Sequence, residues 1–196
     1  MENKKISKSY RLAGMASLIA VMAILQLLSG FFKVGVVSLS FVLIPIVLGG
    51  VFFGKRSGAI LGFIFGVICI IMGVIGMDMF TNILFNNSPI ITILICLVKG
   101  TVAGFMGGFV FEKFGKNNSS KGILISSIVT PVVNTGLFLI GTIFILDIIS
   151  TQILGGGSLL YFFGFSIIFC NFIPELIINI ICAPALYRVY KAIKRS

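Results

Sequence analysis

Residues 159–187 read LLYFFGFSIIFCNFIPELIINIICAPALY, and this stretch decides the class of fold. Its one charged residue is Glu175, and the run is longer than the ~20 apolar residues that carry a helix across a ~30 Å hydrocarbon core. The rest of the chain has the same character. Of 196 residues, 58% are hydrophobic and 10% charged, against roughly 25% charged in a soluble domain. Uncharged stretches fall at 12–32, 34–54, 57–77, 79–111 (broken by Lys99), 122–146 and 148–187 (broken by Glu175). The expectation is an all-α polytopic membrane protein, a single domain over 1–196. Six transmembrane helices are expected near 11–31, 36–54, 57–76, 89–111, 122–147 and 159–187. Two mixed polar and apolar segments, GMDMFTNILFNNSP before the fourth helix and STQILGGGS before the sixth, are expected as external loops able to act as lids. The apolar run after the basic N-terminus is too long for a signal-peptide core, so the first helix is expected to be retained.

The formal charge of +10 is a topology signal. Lys4, Lys5, Lys8 and Arg11 precede the first helix, Lys55 and Arg56 the third, and Lys113, Lys116 and Lys121 join the fourth to the fifth. Arg188, Lys191, Lys194 and Arg195 close the chain. All fall on one side, while Lys33 alone falls on the other and Lys99 lies within a span, so the positive-inside rule puts both termini in the cytoplasm. Juxtamembrane lysines and arginines account for the basic balance without nucleic acid.

The absence of histidine excludes the common histidine-based acid–base, nucleophilic and metal-ligand schemes. Cys69, Cys96, Cys170 and Cys182 sit in apolar runs without zinc or redox spacing and read as small core residues, so no metal and no cofactor is expected. Gly49 to Arg56, GGVFFGKR, imitates a phosphate loop, but Arg56 stands where the magnesium-binding Ser or Thr belongs and no soluble strand precedes it. A helix end and a basic turn fit better, so any ATP must be hydrolysed by another chain.

Two groups of residues carry functional information. Ala13, Ala16, Ala20 and Ala23 recur at steps of three and four along one face of the first helix. Small residues on one face let another helix approach closely in lipid, either within the bundle or on a separate protein. The second group is Lys99, Asn134, Thr135, Asn171, Glu175 and Asn179, polar residues of similar depth in the fourth, fifth and sixth helices. Charge at mid-membrane is costly and marks a ligand or ion site. The competing reading is structural: a Lys99–Glu175 ion pair locking two helices, with asparagines as hydrogen-bond glue.

The six spans, the basic face, Ala16-x-x-x-Ala20, the glycine-rich GKRSGAILGFIFG, TPVVNTGLFLIG and NFIPELIINIICAPALYR together resemble the substrate-binding (S) components of energy-coupling factor (ECF) transporters, which bring vitamins into bacteria and archaea. The resemblance implies a multi-pass subunit of the cell membrane without enzymatic activity. Its alanine face would meet the coupling helices of a transmembrane subunit seated on two ATPases, and a vitamin would bind among the outer halves of helices four to six and the external loops. It further implies that the subunit tilts on docking.

The ligand chemistry follows from the residues. Lys99 suits a carboxylate, and the asparagines can bond hydroxyl or amide groups in either sense, which favours a small anionic vitamin such as pantothenate. Riboflavin and folate remain alternatives, with Phe138, Tyr161, Phe162 and Phe172 as the available aromatic surface. A membrane enzyme would need clustered acids, whereas Asp78 and Asp147 fall in separate external loops, and a structural or pore-forming bundle would need a continuous polar stripe.

Overall fold

The computed structural model describes residues 8–29, 33–34, 37–38, 41–155 and 157–195. In chain order these form α1 (Lys8–Ser29), β1 (Lys33–Val34), β2 (Val37–Ser38), α2 (Leu43–Phe53), α3 (Lys55–Val74), α4 (Met79–Asn87), α5 (Pro89–Phe114), α6 (Ser119–Thr142), α7 (Leu146–Ile148), α8 (Leu159–Tyr161) and α9 (Ile173–Arg195). A 3-10 turn (Ile143–Ile145) and a π-helical turn (Ile149–Ile153) flank α7, and a π-helical stretch (Phe162–Phe172) joins α8 to α9. Among the described residues five helical segments are long and apolar enough to cross a membrane: Lys8–Ser29, Lys55–Val74, Pro89–Phe114, Ser119–Ile153 and Leu159–Ile193. Their outer surface is apolar, with Leu12, Ile90, Phe144 and Leu160 exposed, as contact with lipid requires.

The helix expected over 36–54 is shorter. Lys33 pairs with Ser38 and Val34 with Val37 in an antiparallel ladder, and α2 begins only at Leu43. Pro45 suits the first turn of α2, because the N–H that a proline lacks is one that a helix's first turn leaves unused. The β-branched Val34 and Val37 suit the strand pair. Positions 36, 39 and 40 of that expected helix lie outside the described residues, as do positions 30–31 of the first helix, Lys4, Lys5 and Gly156. The two expected loops also carry helix: Met79–Asn87 forms α4, and Ile149–Ile153 the π turn.

Glycines set the bundle's closest contact. A β-carbon on Gly58 would strike the Gly104 carbonyl, one on Gly62 the Gly100 carbonyl, and one on Gly66 the Cys96 carbonyl. The four-residue steps Gly58, Gly62, Gly66 and Gly100, Gly104 put these on facing stripes, so α3 and α5 run antiparallel with backbones touching. On α6, the Ser126 hydroxyl lies 2.9 Å from the carbonyl oxygens of both Gly107 and Gly122, tying α6 to α5.

At the end where α3 begins, Gly54 turns the chain with φ +87°, a backbone conformation that side chains resist. The Glu112 carboxylate of α5 then accepts the Lys55 backbone N–H (3.0 Å) and meets the Lys55 ammonium (3.1 Å), capping α3 from a neighbouring helix. Arg11 of α1 donates to the Ser57 hydroxyl through Nη2 (2.6 Å) and Nε (3.1 Å). Thus the GKR turn is a joint between three helices. Cys69 and Cys96 are buried in the core, but Cys170 and Cys182 are only half-buried, in contrast to the core placement expected for all four.

Candidate functional site

Lys99 stands on α5 beside Gly100, where the glycine contact brings α3 alongside. There its ammonium lies 4.9 Å from the centre of the Phe138 ring on α6 and 5.9 Å from that of Phe65 on α3, both within cation–π range. Among the described residues Lys99 makes no ion pair, so a Lys99–Glu175 pair locking the helices is not formed.

Asn134 and Thr135 are buried near the middle of α6, just past Pro131, which lies inside the helix and lacks the N–H that would bond the Ser127 carbonyl. Glu175 is 2% exposed at the start of α9, next to Pro174 and three residues past the π-helical stretch that carries Asn171. Asn179, 1% exposed, lies one turn further on and donates its Nδ2 to the Glu175 carbonyl (2.9 Å).

Lys99, Asn134, Thr135, Asn171 and Glu175 line a single cavity of about 90 Å³, and Asn179 does not. The regular spacing of Asn171, Glu175 and Asn179 predicts one shared wall. In the structure Asn171 and Glu175 share the wall across the change from π to α geometry, and Asn179, one turn further along α9, falls outside it. Gln26 Oε1, Ser127 Oγ, Asn134 Oδ1 and Asn179 Oδ1 are buried without a hydrogen-bond partner among the described residues. Gln26 and Asn134 line the cavity, so two buried acceptors are available at its wall.

Sequence reasoning did not find several other wall residues. Gln26 and Ser29 come from the end of α1, Asp78 and Thr81 from the start of α4, and Phe65 and Phe80 add two rings. Asp78 Oδ2 accepts a hydrogen bond from the Thr81 hydroxyl (2.6 Å). Of the aromatics expected from sequence, Phe138 is on the wall, Phe162 stacks behind it on Phe80 with centroids 5.9 Å apart, and Tyr161 is exposed. Phe172 does not line the cavity either. An apolar cluster adjoins the cavity: Phe80, Leu84, Ile95, Ile145, Ile149, Phe162 and Ile167 pack together from α4, α5 and the irregular helical segments, and Phe80 and Ile167 reach the wall.

On α1, Ala13, Ala16 and Ala20 are exposed and Ala23 is half-buried, while Met22, Gln26 and Ser29 turn inward. The model of the family described as ECF transporter, substrate-specific component, matches residues 10–187. The chain belongs to this family. It is the substrate-specific subunit of an ECF transporter, a multi-pass membrane protein, and such S components work with an energising module of a coupling subunit and ATPases. No curated protein and no solved structure matches the chain. This S component thus presents two distinct surfaces: a polar cavity beside an apolar cluster, and a smooth row of small residues facing outward from α1.

Proposed function

We propose that this S component captures a small water-soluble vitamin in the cavity around Lys99 and delivers it to a transmembrane coupling subunit energised by two ATP-binding subunits. The observation that carries the reading is that five polar side chains from three separate helices converge on one buried wall. Lys99 anchors an acidic group such as the carboxylate of pantothenate, and Asn134, Thr135 and Asn171 bond its hydroxyl and amide groups. Asn179, off the wall, bonds the backbone carbonyl of Glu175 one helical turn back. The rings of Phe65, Phe80 and Phe138 favour, as a second reading, a flat ligand such as riboflavin or folate.

At about 90 Å³ the cavity is smaller than the ~300 Å³ low end of ligand pockets, so a vitamin enters by displacing the apolar cluster beside it. The irregular segments around α7 pack chiefly on α6 and α4, whereas α4 itself is tied to α3, its Asn82 donating Nδ2 to the Gly73 carbonyl (2.7 Å). In this reading the membrane is crossed six times, with α2 and the strand pair together making the second crossing and both termini in the cytoplasm. The outward row Ala13, Ala16 and Ala20, with Ala23 at its edge, is the docking face for the coupling subunit. The test is calorimetry of the isolated subunit with candidate vitamins, alongside purification from the native membrane. Saturable one-to-one binding and co-purification of a coupling subunit with two ATPases are expected. A subunit that binds no vitamin and purifies alone overturns the reading.

A further inference from the structure

Asp78 occupies the N-cap position of α4 with extended backbone (φ −103°, ψ 98°), where an aspartate ordinarily accepts a hydrogen bond from an amide of the first turn. It makes no such bond. Its Oδ2 instead accepts from the Thr81 hydroxyl, and both residues line the cavity. The carboxylate is half-buried and forms no ion pair among the described residues. Lys99 on the same wall holds its ammonium against Phe138 and Phe65 rather than against a carboxylate.

Resting on the capture reading above, we propose that the ligand is amphoteric. It carries a cationic group for Asp78 besides the anionic or acceptor group that meets Lys99. Water solvates both charges while the cavity is empty of ligand, but a ligand that fills the space removes that water. Every charge left on the wall must then find its partner on the ligand, because an unpaired charge cut off from solvent opposes binding strongly. A simple anion would compensate Lys99 but add negative charge to a wall that already carries the carboxylates of Asp78 and Glu175. A molecule that carries an ammonium or protonated heterocycle besides its anionic group compensates both signs, and the Phe80 ring, which Lys99 does not occupy, offers such a cation a further contact.

The test uses the purified chain in lipid nanodiscs at pH 7. The probes are pyridoxamine, its counterpart pyridoxine, in which a hydroxyl replaces the amine, and pantothenate, beside mass spectrometry of any small molecule that co-purifies. Pyridoxamine is expected to bind at least about tenfold more tightly than the other two, or the co-purifying molecule to carry charges of both signs. The preference for the cationic ligand collapses in Asp78→Asn at an unchanged unliganded melting temperature and persists in Asp78→Glu. Tighter binding of pantothenate with no effect of Asp78→Asn, or a co-purifying molecule without a cationic group, overturns the amphoteric class and leaves capture standing. Absence of both probe binding and a co-purifying molecule overturns capture itself, and the class with it.

Discussion

Lys99 is the residue whose replacement separates ligand chemistry from packing. Since it makes no ion pair among the described residues, Lys99→Met leaves no buried carboxylate newly stranded by a broken pair and keeps an apolar stem between Phe65 and Phe138. Vitamin affinity, measured by calorimetry, should fall by about 1.5 kcal/mol or more, the low end for a hydrogen bond to a charged group, while the melting temperature holds. Unchanged affinity would assign the lysine to packing. At the other end of α5, Glu112→Ala should lower stability by about 1 kcal/mol in thermal unfolding, chiefly through loss of the cap on the Lys55 amide, since an exposed ion pair adds little. Lys99 and Glu175 were legible in the sequence because a charge interrupting an apolar run is costly unless used. Asp78, Gln26, Ser29 and Thr81 were not, because each lies at the end of an apolar run, where polar residues are ordinary and nothing in the spacing says that they turn inward.

Among the elements, α3 and α5 tolerate least. Gly62→Val puts branched carbon into the Gly100 backbone, which has no side chain to move aside, and should destabilise by at least about 2 kcal/mol in thermal unfolding. The alanine row of α1 should behave in the opposite way. Ala16 is exposed, so Ala16→Leu meets no internal neighbour. It should leave melting temperature and vitamin binding intact while abolishing co-purification with the coupling subunit. Loss of vitamin binding in the same variant would put the alanines inside the bundle. The ends of α3 and α5 were legible to within about three residues because Gly54 and Pro89 punctuate them. The start of α2 was not, since the run over 34–54 is uncharged throughout and nothing in it marks where strand gives way to helix. For α4, polar residues suggested a loop, and only the tertiary contacts of Phe80, Thr81 and Leu84 make it a helix.

For the whole molecule, the one-sided distribution of basic residues predicts the labelling pattern. In a cysteine-free background, a cysteine at the exposed Asn86 should react with an impermeant thiol reagent applied from outside, and one at the exposed Asn117 only after the membrane is opened. The reverse pattern would invert the subunit. Hydropathy made the apolar runs legible, yet the apolar cluster beside the cavity was not, because its 3-10 and π turns arise from packing rather than from any local preference. The shortness of α2 has a bearing on how the chain is made. Its 11 residues rise about 16 Å, roughly half the hydrocarbon thickness. Yet residues 34–54 form one uncharged run of full crossing length, and machinery that sorts nascent segments by apolar length meets a complete transmembrane helix there. The strands lie against the π-helical stretch, which is synthesised more than a hundred residues later. The expected order of assembly is that the segment enters the bilayer as a whole helix and opens at its strand end once the π-helical stretch arrives to receive it.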